Sequence, residues 1–232
     1  MKAITNQKRE KEFYVDSVQF AYNSQRNILT GGYLACGVGD VLALVGRNGC
    51  GKSTLMKVAF GSLKAHHSYI RLNGERITNA FESKDVCYLP QDRFLLTSMR
   101  VRKAIDLMIS DDRGKENIMS HPILKPVLDN LVADLSGGEC RFLEIMLILH
   151  QPATFMLLDE PFSGLSPIMK DEVCAQILHL HDKKGIVISD HDYRYMLDIA
   201  TKITLLQNGS CRNIRDKKEL EMFYVPDGTF SD

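Results

Sequence analysis

Residues 46–53 read Gly-Arg-Asn-Gly-Cys-Gly-Lys-Ser, and Thr54 follows. Glycines at 46, 49 and 51 let a backbone curl without a Cβ in the way. Free N–H groups at the start of a helix supply the several donors that a polyphosphate needs at once. In this pattern Lys52 reaches the β- and γ-phosphates, and the Ser53 hydroxyl offers an oxygen to Mg²⁺. Two acids, Asp159 and Glu160, close a second apolar run, Phe155-Met156-Leu157-Leu158. The C-terminal end of a buried strand is where α/β sheets hold their ligands. Asp159 is placed to hold the ion that Ser53 touches, and Glu160 to orient or deprotonate an attacking water.

A third stretch, Leu135-Ser136-Gly137-Gly138-Glu139, precedes a helical run. Ser-Gly-Gly at a helix start is a second anion-binding corner. One chain has a single phosphate loop of its own, so a second phosphate-reading helix suggests a site shared between two chains. The competing reading is an ordinary serine cap with a flexible lead-in.

The elements that must position these groups follow from pattern. Val41 to Val45 is an apolar run feeding the glycine loop, and Leu55 to Phe60 continues as a helix. Further strands are predicted at 13–20, from Gly31-Gly32 to Cys36, at 68–72, 86–89, 154–158, 185–189, 202–207 and 210–214. Turns are predicted at 21–24, at 37–40, at Asn73-Gly74 and at Asn208-Gly209. From Gln91 to about Leu131 the pattern changes to helices, 100–109 and then another short helix or two over 118–130. Asp111-Asp112-Arg113-Gly114 reads as the break between them. Later helices are expected from Ser136 to about His150, at 167–183 and at 193–200. Residues 1–12 read as a frayed start, and the tail from Asp216 as charged with a short helix. Apolar strands alternating with helices imply a mostly parallel sheet covered on both faces.

The 232 residues are 44% hydrophobic, enough for one sizeable core. Lys+Arg and Asp+Glu both number 29, a balance that argues against a nucleic-acid surface. No apolar run approaches the roughly 20 residues needed to cross a bilayer. Residues 1–12 are polar and charged, unlike a secretory signal. Six cysteines, none spaced C-x-x-C, read as reduced thiols serving as small hydrophobes. His66-His67 and His179-x-His181 read as surface histidines, since residues two apart on a helix do not face each other.

With these residues in hand, the chain resembles the nucleotide-binding ATPase subunit of an ATP-binding cassette (ABC) transporter. Gly46–Ser53 is similar to the family's Walker A motif, Leu135–Glu139 to its signature, and Phe155–Asp159 with Glu160 to Walker B and its catalytic glutamate. Gln91, in Leu89-Pro90-Gln91, falls at the Q-loop, His191 at the switch histidine, and Tyr22 at the adenine-stacking aromatic.

The resemblance implies an α/β P-loop NTPase with a mostly parallel core, an N-terminal antiparallel β subdomain and an inserted helical subdomain. It covers the chain as one domain, with 1–91 and 141–232 as core plus β subdomain and 92–140 as the helical part. It also implies roles. ATP is held by Tyr22 and by Gly46, Arg47, Asn48, Gly49, Cys50, Gly51, Lys52, Ser53 and Thr54. Ser136, Gly137 and Gly138 read the γ-phosphate on the facing protomer. Mg²⁺ is held by Ser53, Gln91 and Asp159, and catalysis rests on Glu160, His191, Lys52 and Gln91.

The partners it implies are a transmembrane permease, met around Gln91–Leu96, and a second ABC protomer, expected as a homodimer with ATP. That places the chain in the cytoplasm, on the inner face of a membrane. For Phe94-Leu95-Leu96 the alternative is packing within the subdomain itself. The family's Ser-Ala-Leu-Asp loop here reads Ser163-Gly164-Leu165-Ser166, and the helix after the signature lacks the usual basic, Ala-rich run while keeping Arg141. No C-terminal regulatory domain is expected. Alternatives are a soluble ABC-type ATPase in an assembly process such as iron–sulfur cluster biogenesis, and a nucleotide-gated scaffold.

Overall fold

The computed structural model describes residues 11–23 and 26–220. Expectations for residues 1–10, Ser24 and 221–232 lie outside them. In chain order the elements are β1 (Glu12–Asn23), β2 (Arg26–Gly37), β3 (Val41–Val45), α1 (Lys52–Phe60), β4 (His67–Leu72), β5 (Glu75–Ile77) and β6 (Val86–Leu89). Then come α2 (Val101–Met108), α3 (Asp112–Ser120), α4 (Gly137–Leu149), β7 (Phe155–Asp159) and α5 (Pro167–Leu180). The last are β8 (Gly185–Ser189), α6 (Tyr193–Ile199), β9 (Lys202–Gln207) and β10 (Ser210–Ile214).

The strands form one sheet in the order β5-β4-β1-β2-β10-β9-β3-β8-β7-β6. From β9 to β6 all neighbours are parallel. At the other end, β1 pairs antiparallel with both β2 and β4, and β4 with β5. Every residue of β3, β7 and β8 is buried. Their uninterrupted apolar runs are what a strand covered on both faces requires.

The period of two sorts these runs into two cores. Val41, Ala43 and Val45 face one core with Met156, Leu158, Ile186 and Ile188, built with α2, α4, α5 and α6. Leu42 and Leu44 face the other with Phe155, Leu157 and Val187, built with α1 and the antiparallel strands. Helix α4 is buried from Cys140 to Leu149, so it lies inside the molecule and not on its surface.

Several local expectations are corrected. β2 opens at Arg26 and not at Gly31-Gly32, and the 118–130 stretch holds only the end of α3, at Ser120, and a 3₁₀ turn at Lys125–Val127. Ala21, predicted as turn, continues β1 and pairs with Asn27 of β2, as Asn23 pairs with Arg26. For 21–23 the ladder partners on β2 outweigh the local turn signal. The expected break between the two helices exists but is shorter: α2 ends at Met108 and Asp111 caps α3, so Asp112-Arg113-Gly114 already belong to the next helix. Asp111 Oδ1 accepts the Gly114 N–H at 2.7 Å, and a Cβ on Gly114 would lie 2.6 Å from Asp111 Oδ2. Glycine permits the cap; it does not end the helix.

Candidate nucleotide site

Strands β3, β8 and β7 are neighbours, so their C-terminal ends place Gly46, Asp190 and Glu160 side by side. A cavity of about 400 Å³ opens there, lined by Tyr22, Ile28, Asn48, Gly49, Gly51, Lys52, Ser53, Thr54, Gln91, Glu160 and His191. Most of the residues expected to meet nucleotide are therefore in one place. Gly46, Arg47 and Cys50 of the same loop do not line it. Gly46 is instead pressed against β9, where a Cβ would lie 2.5 Å from the Leu206 carbonyl oxygen. Gly51 has φ 110°, in the left-handed region, and its Cβ would meet Ile28 Cγ2 at 2.9 Å.

Lys52 is 6% exposed. A buried ammonium needs acceptors. Lys52 Nζ donates to the carbonyls of Gly46 at 2.7 Å and Arg47 at 3.4 Å. A polyphosphate entering the loop would compete for that ammonium with two neutral oxygens. Tyr22 stands at the mouth, 68% exposed, with its ring edge-on to Phe20 and its hydroxyl 3.3 Å from Thr54 Oγ1.

Asp159 is fully buried, and three hydroxyls address its carboxylate. Ser53 donates to Oδ1 at 3.0 Å, Ser189 to Oδ1 at 2.7 Å, and Tyr88 to Oδ2 at 3.0 Å. Tyr88 and Ser189 were not singled out from sequence. Ser189 ends an apolar strand as Asp159 does, and the two are register partners. That repeated pattern of an apolar run ending in an oxygen was the available signal. Burial and the Asp159 charge together push the Tyr88 phenol upward in pKa.

Glu160 is the next residue and has φ 51°, a left-handed backbone that costs a non-glycine residue about 1–2 kcal/mol. Its N–H donates to the Ser189 carbonyl at 2.7 Å. Its carboxylate is gripped from two sides, by Gln91 Nε2 at 2.9 Å and by His191 Nε2 at 2.8 Å. The histidine loop is itself anchored. Asp190 Oδ2 accepts from Phe162 N and Oδ1 from Asp192 N, each at 2.8 Å. Burial raises the Asp190 pKa against those two bonds. Lys170 of α5 pairs with Asp192 at 2.6 Å and lies over the Tyr195 ring, and the Asp192 bond raises its pKa.

Ser136, Gly137 and Gly138 are elsewhere: none lines the cavity of their own chain. Ser136 is exposed and caps α4. It accepts from Glu139 N at 3.2 Å, while Glu139 Oε2 accepts from Ser136 N at 2.8 Å. This reciprocal box leaves the serine O–H free to donate outward. Gly138 is where the Ser163–Ser166 loop packs, since its Cβ would lie 3.2 Å from the Gly164 carbonyl. Ser166, standing where the family has aspartate, still caps α5 by accepting from Met169 N at 3.4 Å.

Of the apolar trio after Gln91, Phe94 and Leu95 pack on the core. Leu96 alone presents apolar surface, at 65% exposure. All six cysteines are free thiols. Among the described residues no helix is long and apolar enough to cross a membrane.

The profile of the ABC transporter family matches residues 30–163. The thiamine import ATP-binding protein ThiQ of Photobacterium profundum is 31% identical over 185 residues, covering 75% of this chain and 77% of its own. The lipopolysaccharide export system ATP-binding protein LptB of Escherichia coli is 28% identical over 186 residues, covering 74% and 77%. A solved ATP-binding subunit of an ABC transporter superposes with a TM-score of 0.77 at 21% identity, over 90% of this chain and 92% of its own. The sequence relatives carry the assignment and the superposition carries the fold: this chain belongs to the ABC transporter family, as one of its ATP-binding subunits.

Proposed function

We propose that this chain binds ATP with Mg²⁺ and hydrolyses it in a site completed by a second copy, driving a separate membrane subunit. The observation that carries the reading is the convergence of Lys52, Ser53, Gln91, Glu160 and His191 on one cavity, with buried Asp159 bonded to Ser53 beneath it. Tyr22 at the mouth supplies a face for adenine. The loop amides and Lys52 take the phosphates.

The donors suit Mg²⁺. They are all oxygen, and an anionic carboxylate sits against a hydroxyl, as a small hard cation prefers. Ser53, Asp159 and the Gln91 amide oxygen would hold it. Bound there, the ion would neutralise charge on the β- and γ-phosphate oxygens.

Glu160 accepts hydrogen bonds from Gln91 and His191. With a nucleotide seated, it turns to the attacking water and takes its proton. The water oxygen bonds to the γ-phosphorus as the bond to the β,γ-bridging oxygen breaks, and ADP departs with that electron pair. Lys52 and His191 stabilise the charge that develops, so catalysis is mainly positioning and electrostatics. Ser136, Gly137 and Gly138 of the second copy would close on the same γ-phosphate. Their absence from the cavity of their own chain supports that arrangement.

Residues 92–140 would act as the helical unit of a single domain, with Leu96 beside the Q-loop meeting the permease. In that role the chain would sit on the cytoplasmic side of the membrane. Relatives named for import and for export match it about equally well, which fits a cargo pocket that lies in the membrane subunit. Steady ATP turnover by the purified chain, measured by phosphate release, tests the reading. It should fall at least about a hundredfold in Glu160→Gln. Turnover that survives this substitution would remove Glu160 from the chemistry.

A further inference from the structure

Helix α4 carries an ion pair that the reading above does not use. Arg141 and Glu144 lie one turn apart, both buried, with Arg141 Nη1 3.4 Å from Glu144 Oε2. Nearly every remaining bond they make is to backbone. Arg141 Nη1 donates to the Pro90 carbonyl at 2.7 Å. Its Nη2 donates to the carbonyls of Asp159 at 2.6 Å and Glu160 at 3.1 Å. Glu144 Oε1 accepts the N–H groups of Phe94 at 2.8 Å and Leu95 at 3.3 Å. One pair of side chains therefore clasps both ends of the Gln91 loop and the peptide that carries the catalytic glutamate.

Stability alone does not account for this pair. Buried ion pairs recover little beyond their desolvation cost, and apolar replacements of similar volume are often neutral or better. Geometry does account for it. Glu160 holds a left-handed backbone that persists only where its surroundings fix it. The Ser189 carbonyl fixes its N–H, and Arg141 fixes its C=O. We propose that Arg141 is a positioning residue for Glu160, and that Glu144 ties the same guanidinium to the 90–95 loop. A displacement of that loop, or of α4 pulled at its Ser136 end, is thereby delivered to the glutamate carbonyl. This rests on the hydrolytic reading above.

The test is the double variant Arg141→Met/Glu144→Met in the full chain, which removes both charges and keeps volume. Four quantities are read: the thermal midpoint, kcat, the ATP dissociation constant and amide hydrogen exchange. The expected result is a folded protein whose kcat is down about tenfold to a hundredfold, the cost of a misplacement near 1 Å. ATP affinity should stay within about twofold, and the amides of Phe94, Leu95 and Glu160 should exchange faster. A folded double variant with parental kcat and parental exchange at Glu160 overturns the proposal. If the double variant does not fold, Arg141→Lys decides, because it keeps the charge and loses the fork that spans the carbonyls. Reduced kcat at an unchanged midpoint then supports positioning, and parental kcat refutes it. A parental chain without turnover sinks the hydrolytic reading instead, and exchange at Glu160 still judges this one.

Discussion

Tyr88→Phe removes one oxygen and leaves the ring where it is, 5.5 Å from Phe60. The lost group is one of the three hydroxyls on the buried Asp159 carboxylate, and the one that serves Oδ2. A hydrogen bond to a charged acceptor contributes about 1.5–3 kcal/mol, and an acceptor with no access to water gets no substitute. The expected loss is therefore about 2 kcal/mol. In a chain of this length that lowers the thermal midpoint by about 4–8 °C.

The assay is denaturant unfolding of Tyr88→Phe, Asp159→Asn and the double variant. The cycle isolates the pair from any general effect of the phenol. With Asp159→Asn in place, losing the Tyr88 hydroxyl should cost under about 1 kcal/mol, because the acceptor is then neutral. A loss under about 0.5 kcal/mol in the parental background refutes the reasoning. So does an equal loss in both backgrounds.

Gly51→Ala should destabilise the chain by at least about 1 kcal/mol and abolish measurable ATP binding by calorimetry, since the new Cβ is strained at φ 110° and meets Ile28 at 2.9 Å. Lys170→Met probes the anchor of the histidine loop. The folded pKa of Lys170 lies above the ordinary lysine value of 10.5, so its pairing with Asp192 contributes fully below that pH and is lost as pH rises through the folded value. The midpoint gap between variant and parent should thus be constant from about pH 7 to 9 and shrink above about 10.5; a gap that widens there contradicts the assignment.

Much of this site is legible in the sequence because it is local. A glycine loop between a buried strand and a helix fixes its own geometry, and the expected bounds of β6, β8, β9 and β10 match the observed ones. Asp159 and Glu160 announce themselves by following an apolar run. What was not legible depends on which strands are neighbours. Tyr88 matters only because β6 lies beside β7, and no pattern within Val86–Leu89 states that. Arg141 stands out in the sequence as a retained basic residue, yet its use is set by three carbonyls from distant segments. The misplaced break at 111–114 has a different origin. A cap and a break use the same residue types, and only the Asp111–Gly114 bond tells them apart.

The claim most open to direct test is that each reaction centre takes its lysine loop from one chain and its serine–glycine corner from another. Sedimentation of Glu160→Gln with and without saturating Mg-ATP measures it. The account predicts a monomer that becomes a dimer with ATP and returns to monomer when Ser136→Arg is added to the same chain. A Glu160→Gln chain that binds ATP and stays monomeric at every concentration would contradict it.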